Sequence, residues 1–513
     1  MTVVRKLVWL IIWVSFPVMP ISGAEPKNGE VPANAGVSYY RQVRPIFQQH
    51  CQGCHQPARA QGDYVMTNHA AMLQGGKSGD PAIVVGDPGR SKLVQQITHQ
   101  NGKPPEMPKN KPPLTDADVN LIKSWIQQGA KDDSPASVRT VVDTDHPPHY
   151  VLPPVITSLA YSPDGQWLAV TGYHEVLLHK ADGSGLAARL VGLSERIQSL
   201  AFSPNGKFLA VTGGDPGRCG EVQIWDVAKK NLKLSVSVTF DTLYGARWSP
   251  DGNLVSFGCG DNTLRVIDAR DGKQVLFQGA HNDWVLETVF STDGSHLVSV
   301  SRDMSMKLTE VATQRFVDNI TSITPGALKG GLMTVDRHPR RDELLIGGSD
   351  GVPKIYQMYR TKKRVIGDDF NFLRGFEAMP GRIFSARYSA DGSRIVVGSS
   401  FDGKGEVRVY HSGVRDPDPQ FIKLSGLPVV STKGLTTLAL LPDYRPSTKM
   451  ISRFDGQRGP VYAVAFRPDG NHVASAGFDG VVRLNDPNTG KLIKEFVPVD
   501  VKATGLVTST GGK

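Results

Sequence analysis

Apolar and polar positions alternate in short runs over most of this chain. Ile197-Gln198-Ser199-Leu200-Ala201-Phe202 is one such run, and Lys207-Phe208-Leu209-Ala210-Val211 follows it across Asn205-Gly206. A period of two predicts half-buried strands, and an Asn-Gly or Asp-Gly pair between two of them predicts a tight hairpin. The unit recurs. An aromatic residue followed by Ser-Pro-Asp-Gly or a variant stands at Tyr161 to Gly165, Phe202 to Gly206, Trp248 to Gly252, Phe290 to Gly294, Tyr388 to Gly392 and Phe466 to Gly470. A degenerate copy, Val335-Asp336-Arg337-His338-Pro339, lies in the long gap after Gly294. Most spacings are about 41 to 51 residues, the period of four-stranded propeller blades. A second turn follows with an aspartate at its tip: Asp261, Asp303, Asp350, Asp402, Asp479. These carboxylates suit a structural role in the turn better than calcium ligation. The pattern predicts an all-β propeller of about seven blades over residues 155–498, with an insertion near 413–450 and a flexible tail, 499–513.

Upstream the period changes. Tyr40, Val43, Ile46 and Phe47 have helical spacing, and Ser91 to Thr98 reads as another short helix. Thr115 is a candidate N-cap, with Asp116 and Asp118 in the first turn, a stripe of Leu121, Ile122, Trp125 and Ile126, and Gly129 as C-cap. A small all-α domain is expected over 37–131. A polar, Pro-rich linker, 132–154, separates it from the repeats, with His146 and His149 expected to be solvated. Residues 1–24 have the form of a secretory signal: basic Arg5 and Lys6, an apolar run from Leu7 to Val14, and small residues at Ser22 and Ala24. The run is short for a membrane span and is followed by Pro17 and Pro20. An exported protein, periplasmic or in the cell envelope, is expected, with no membrane span after signal cleavage.

Charge adds little. The net charge is +9, and removing Arg5 and Lys6 with the signal leaves +7. Basic residues are spread along the chain without a run, which argues against nucleic acid as a partner.

The chemistry sits in one pentapeptide, Cys51-Gln52-Gly53-Cys54-His55. Two cysteines two residues apart, followed at once by His, have the spacing for covalent attachment of one c-type haem. Cys51 and Cys54 would attach it, and His55 would be the proximal axial ligand. The sixth ligand is expected to be Met107, eight residues before the Thr115 helix start in Pro105-Glu106-Met107-Pro108. A thioether favours the reduced iron and raises its potential. Met66, Met72, His69, His99 and an open site remain as alternatives. The other two cysteines, Cys219 and Cys259, are open to a disulfide in an oxidising compartment or to standing as separate buried thiols.

Residues 47–130 resemble the planctomycete-type cytochrome c domain, through FQQHCQGCHQP, GGKSGDPAIVVGDPGRSKLVQQI and MPKNKPPLTDADVNLIKSWIQQGA. That resemblance implies haem c on Cys51, Cys54 and His55, with Met107 at the family's Met-Pro position. The repeats are similar to the WD-repeat family, most clearly at Ile224-Trp225-Asp226. They depart from it in having one Trp-Asp dipeptide and a Gly-His signature reduced to Gly279-Ala280-His281.

The function expected is electron transfer by a single covalent haem, with the propeller as docking or ligand-binding scaffold. The redox partner is unidentified and would meet the propeller or the haem edge. The alternative is a haem-dependent enzyme or sensor, with an open iron site or a second cofactor on the propeller. The repeats supply no second CxxCH, and their nine histidines from His146 onward are unclustered, so no catalytic residue is assigned.

Overall fold

The computed structural model describes residues 36–501, apart from 57–58, 101, 110, 136–141, 280, 323–328, 366, 414–447 and 455. The expected signal (1–24), most of the insertion near 413–450 and residues 502–513 of the tail lie outside the described residues.

The N-terminal domain opens with a π-helical turn, Tyr39–Val43, whose N-cap Ser38 hydroxyl accepts the Arg41 N–H. It runs directly into helix α1 (Arg44–His50), where Pro45 occupies the first turn. Helix α2 (His69–Gln74), α3 (Lys92–Ile97) and α4 (Asp116–Gln127) follow. Thr115 caps α4 as its spacing predicts, its hydroxyl accepting the Asp118 N–H at 3.2 Å. Gly129 ends the helix with a φ of 101°. Tyr39, Val43 and Phe47 pack against Ile122, Trp125 and Ile126, and the rings of Tyr39 and Trp125 stack 5.2 Å apart.

The expectation of an all-α domain needs correction. The helices are few and short. A two-stranded ribbon pairs His55–Gln56 with Arg59–Ala60, and long loops fill the rest. Residues 75–91 contain Gly75, Gly79 and Gly86 at positive φ, and 104–113 contain five prolines, so neither segment can continue a helix.

Beyond the linker the chain is mostly β, in small antiparallel sheets, as a WD-repeat propeller requires. Five sheets have four strands each. A sixth has seven, because the long strand Leu186–Phe202 is the outer strand of one blade and the inner strand of the next. The seven inner strands begin at Leu159, within Leu186–Phe202, and at Leu243, Val285, Leu332, Arg382 and Val461. Each neighbours the next, and the last neighbours the first, so the ring closes. Every blade is contiguous in sequence. Closure uses packing between the first and last blades, the Ile156 N–H to Gly477 carbonyl bond, and a parallel bridge between Tyr150 and Val501.

The repeated phrase has a repeated mechanism. Ser162 Oγ donates to Asp164 Oδ1 at 2.5 Å and accepts the Trp167 N–H at 2.9 Å, while the same carboxylate takes the Gln166 N–H. Ser203–Asn205, Ser249–Asp251, Ser291–Asp293 and Ser389–Asp391 repeat it. Gly165, Gly206, Gly252, Gly294, Gly392 and Gly470 hold φ values of 68° to 76°, a region costly to other residues. Four of the second-turn aspartates, Asp261, Asp303, Asp350 and Asp479, bind neighbouring side chains. Asp261 pairs with Arg265 at 2.6 Å, Asp479 with Arg483 at 2.7 Å, and Asp350 with Lys354. Asp303 binds His281 at 3.0 Å, and the other His281 nitrogen meets Ser299 at 2.7 Å.

The linker departs from a solvated tether at its end. Tyr150 is buried and donates to Glu175 Oε1 at 2.8 Å, and Arg189 joins Glu175 to the Pro148 carbonyl. Cys219 and Cys259 stand as free thiols, the second buried.

Candidate haem site

Helix α1 ends at His50, so its C-terminal end delivers the Cys51–Cys54 turn. Cys51 and Gln52 N–H groups both bond to the Phe47 carbonyl, and Cys54 and His55 N–H groups bond to the Cys51 carbonyl at 3.1 Å. This coiled turn places both thiols and the imidazole on one cavity of about 450 Å³. Further lining comes from α3, through Leu93, Gln96 and Ile97, and from the Met107–Pro108 loop. All four site residues expected from the sequence, Cys51, Cys54, His55 and Met107, therefore line one cavity.

The alternatives separate by position. Met66 also lines the cavity, but its N–H bonds to the His55 carbonyl at 2.8 Å, so it grows from the same wall as the imidazole. Met107 comes from a different wall, its N–H held by the Gln96 carbonyl at 3.0 Å. Met72 is fully buried in the helical core. His69 spends Nε2 on the Ala130 carbonyl at 2.8 Å and packs on Trp125. His99 is not among the lining residues.

His55 Nδ1 lies 3.3 Å from the Tyr64 carbonyl. That contact requires Nδ1 to carry the proton and leaves Nε2 with its lone pair free, the arrangement that orients a metal-binding imidazole. Burial lowers the His55 pKa, only partly opposed by backbone hydrogen bonds to Tyr64 and Gln61, so the neutral ring is favoured. Tyr64 is itself fixed, donating from its hydroxyl to the Met72 carbonyl at 2.9 Å. Burial pushes the Cys51 thiol up to about 12. A cavity of this volume, lined by two thiols, an oriented imidazole and a thioether, fits a haem of the c type.

Sequence reasoning missed three features. His50 and four lysines, Lys77, Lys92, Lys109 and Lys111, line the cavity with Asp80 as the one carboxylate. Lysines that far apart show no pattern in sequence. The propeller also contributes: Ser235, on the outer strand Asn231–Thr239 of the second blade, is part of the lining. Gly53 explains the approach. A Cβ there would lie 2.7 Å from the Ser235 carbonyl oxygen, so only glycine lets the Cys51–Cys54 turn sit against that strand. Nearby, the Arg218 guanidinium bonds to the Tyr40 hydroxyl and lies 5.1 Å from the centre of its ring. Among the described residues no helix is long and apolar enough to cross a membrane.

Comparison with known proteins agrees with this division. Residues 51–111 match the family described as Planctomycete cytochrome C. Residues 147–177, 188–226, 235–268, 272–309 and 448–486 match the WD domain, G-beta repeat. The chain thus joins a planctomycete-type cytochrome c domain to a WD-repeat propeller. Curated relatives match the repeats only in part. A WD repeat and SOCS box-containing protein 1 of Danio rerio is 39% identical over 16% of this chain and 20% of its own length. Eukaryotic translation initiation factor 3 subunit I of Candida glabrata is 21% identical over 47% of each. A ribosome biogenesis protein WDR12 homolog of Chlamydomonas reinhardtii is 27% identical over 26% of this chain and 33% of its own. The chain thus spans less than half the length of each of these relatives. The cytochrome c match implies haem binding, and the repeats supply a scaffold of a kind used for protein interaction.

Proposed function

We propose that this protein is an exported electron carrier with one covalently attached haem, held on a propeller that serves as docking scaffold. The observation that carries the reading is the meeting of Cys51, Cys54, His55 and Met107 on one cavity. When bound there, the haem supplies one-electron chemistry at an iron whose potential its surroundings set. The chain's own groups do the rest. The Cys51 and Cys54 sulfurs would hold the haem through two thioether bonds. His55 offers Nε2, kept in that tautomer by the Tyr64 carbonyl. Met107 would offer a soft sulfur from a separate segment of the lining. Leu93, Ile97, Ala82 and Tyr64 restrict water, which limits reorganisation when charge changes. The cationic rim of Lys77, Lys92, Lys109 and Lys111 would steer a redox partner with an acidic surface. The leader-like residues 1–24 support periplasmic or cell-envelope maturation, where c-type haem is attached.

The test is expression of the full chain in a periplasm with haem-attachment machinery, followed by a denaturing gel stained for haem. The expected result is haem that stays with the polypeptide at one per chain. A folded protein that never retains haem would overturn the reading.

A further inference from the structure

The single Trp-Asp dipeptide, Trp225-Asp226, anchors a polar chain that leads out of the propeller toward the haem cavity. Trp225 Nε1 donates to Gln223 Oε1 at 2.9 Å, which fixes the amide orientation. Gln223 Nε2 then donates to Glu221 Oε2 at 2.7 Å. Ser194 Oγ donates to the same oxygen at 2.6 Å, and Ser235 Oγ donates to Glu221 Oε1. Each of these five residues is at most 5% exposed. A Cβ on Gly192 would collide with the Gln223 amide, so that glycine leaves room for the chain.

Three donors converge on the Glu221 carboxylate and occupy both of its oxygens. Among the described residues no ion pair involves Glu221. Its Ser235 partner is the propeller residue that lines the haem cavity and whose carbonyl lies against Gly53. A polar cavity of about 340 Å³ lies on the other side of this contact, and Arg44, Arg218, Glu195 and Asp215 line it with Glu221. Glu221 itself is only 4% exposed.

We infer that Glu221 is a potential-setting residue: a propeller carboxylate, one hydrogen bond from the haem cavity wall, that stabilises the oxidised haem. This rests on the proposed haem-carrier function. A fixed negative charge in a poorly solvated setting favours the state with the larger positive charge, and the interaction is strong because little water screens it. The propeller is then part of the redox centre as well as its support.

The experiment is redox titration of the full holoprotein, comparing wild type with Glu221→Gln, Glu221→Asp and the remote turn variant Asp469→Asn. Glu221→Gln keeps the shape and one acceptor oxygen, turns the other oxygen into an NH2 donor, and removes the charge. It is expected to shift the reduction equilibrium toward reduced haem about tenfold, which is ~59 mV upward for one electron. Glu221→Asp and Asp469→Asn should stay within about twofold of wild type. The inference is overturned if Glu221→Gln stays within about twofold, or if Glu221→Asp shifts as far as Glu221→Gln. It is also overturned if Glu221→Gln fails to mature with haem while Glu221→Asp matures, because that marks a packing role. A wild type without attached haem overturns the carrier reading itself, and is seen before any titration.

Discussion

The two halves of this molecule are built on opposite principles. Most blades carry local instructions: alternating strands and a Ser-Pro-Asp-Gly turn or a variant of it, with a partnered aspartate at the next turn in four of them. Their cores are filled. Val255, Phe257, Val298, Val300, Val396 and Val397 are all fully buried within packed sheets. The N-terminal domain is short-helical and loop-rich, and its thiols, imidazole and thioether surround a cavity of about 450 Å³. Small domains with little core gain stability from what they bind, because a ligand held only by the folded state adds to the folding free energy. The propeller is therefore self-sufficient, and the haem domain is completed by its cofactor.

Loss of attachment has the largest expected effect. A Cys51→Ala, Cys54→Ala double variant should lack covalent haem, and calorimetry should show the haem-domain transition lowered or lost while the propeller transition keeps its temperature. A parallel fall of both would erase the contrast. Next comes the brace at the propeller centre. Glu287 is buried and binds Arg387 at 2.6 Å, Arg247 at 3.0 Å, Thr334 Oγ1 at 2.6 Å and the Val335 N–H at 2.9 Å. It thus ties the inner strands of four neighbouring blades. Glu287→Ala leaves two arginines facing an empty acceptor, and should cost the propeller about 3–5 kcal/mol in denaturant unfolding without changing the haem spectrum.

Gly53→Ala is a sharper instrument, because it keeps both thiols and His55. The added Cβ should push the attachment turn off Ser235, at about 1–3 kcal/mol, and small-angle scattering should report separated domains with haem still attached. The smallest expected effect is that of acid on the turns. The Ser291 hydroxyl, with the Ser295 N–H and hydroxyl, holds the Asp293 carboxyl down at about 2, and Asp164, Asp251 and Asp391 are also held low. A depressed folded pKa gives stability that is present above the unfolded value, near 4, and is lost as pH falls toward 2. The urea midpoint of the propeller transition should therefore fall between pH 5 and pH 2.5. It should fall less in Ser291→Ala.

What could be read from the sequence follows the same division. The blades were legible because their signals are local: a hairpin needs only its own Asp-Gly and alternating neighbours. The grouping of Cys51, Cys54 and His55 on one cavity was legible for the same reason, since they are adjacent in the chain. Met107 was legible through its distance from the Thr115 cap. Contacts distant in sequence were not. Nothing at Ser235 signals that it meets Gly53, 182 positions earlier in the chain. The shared strand Leu186–Phe202 and the bridge from Tyr150 to Val501 depend on ring closure, which no local pattern encodes. The all-α expectation overreached because the ribbon pairing His55–Gln56 with Arg59–Ala60 is two residues long on each side, too short to leave a period in the sequence.

The most direct test of the central claim is the visible spectrum of the matured protein, oxidised and reduced, with and without carbon monoxide. The account predicts a low-spin spectrum with the far-red methionine–iron band, inert to carbon monoxide. In Met107→Ala the haem should remain attached, the band should vanish, and carbon monoxide should bind on reduction. A wild type that binds carbon monoxide readily, or a Met107→Ala spectrum unchanged from wild type, would contradict it.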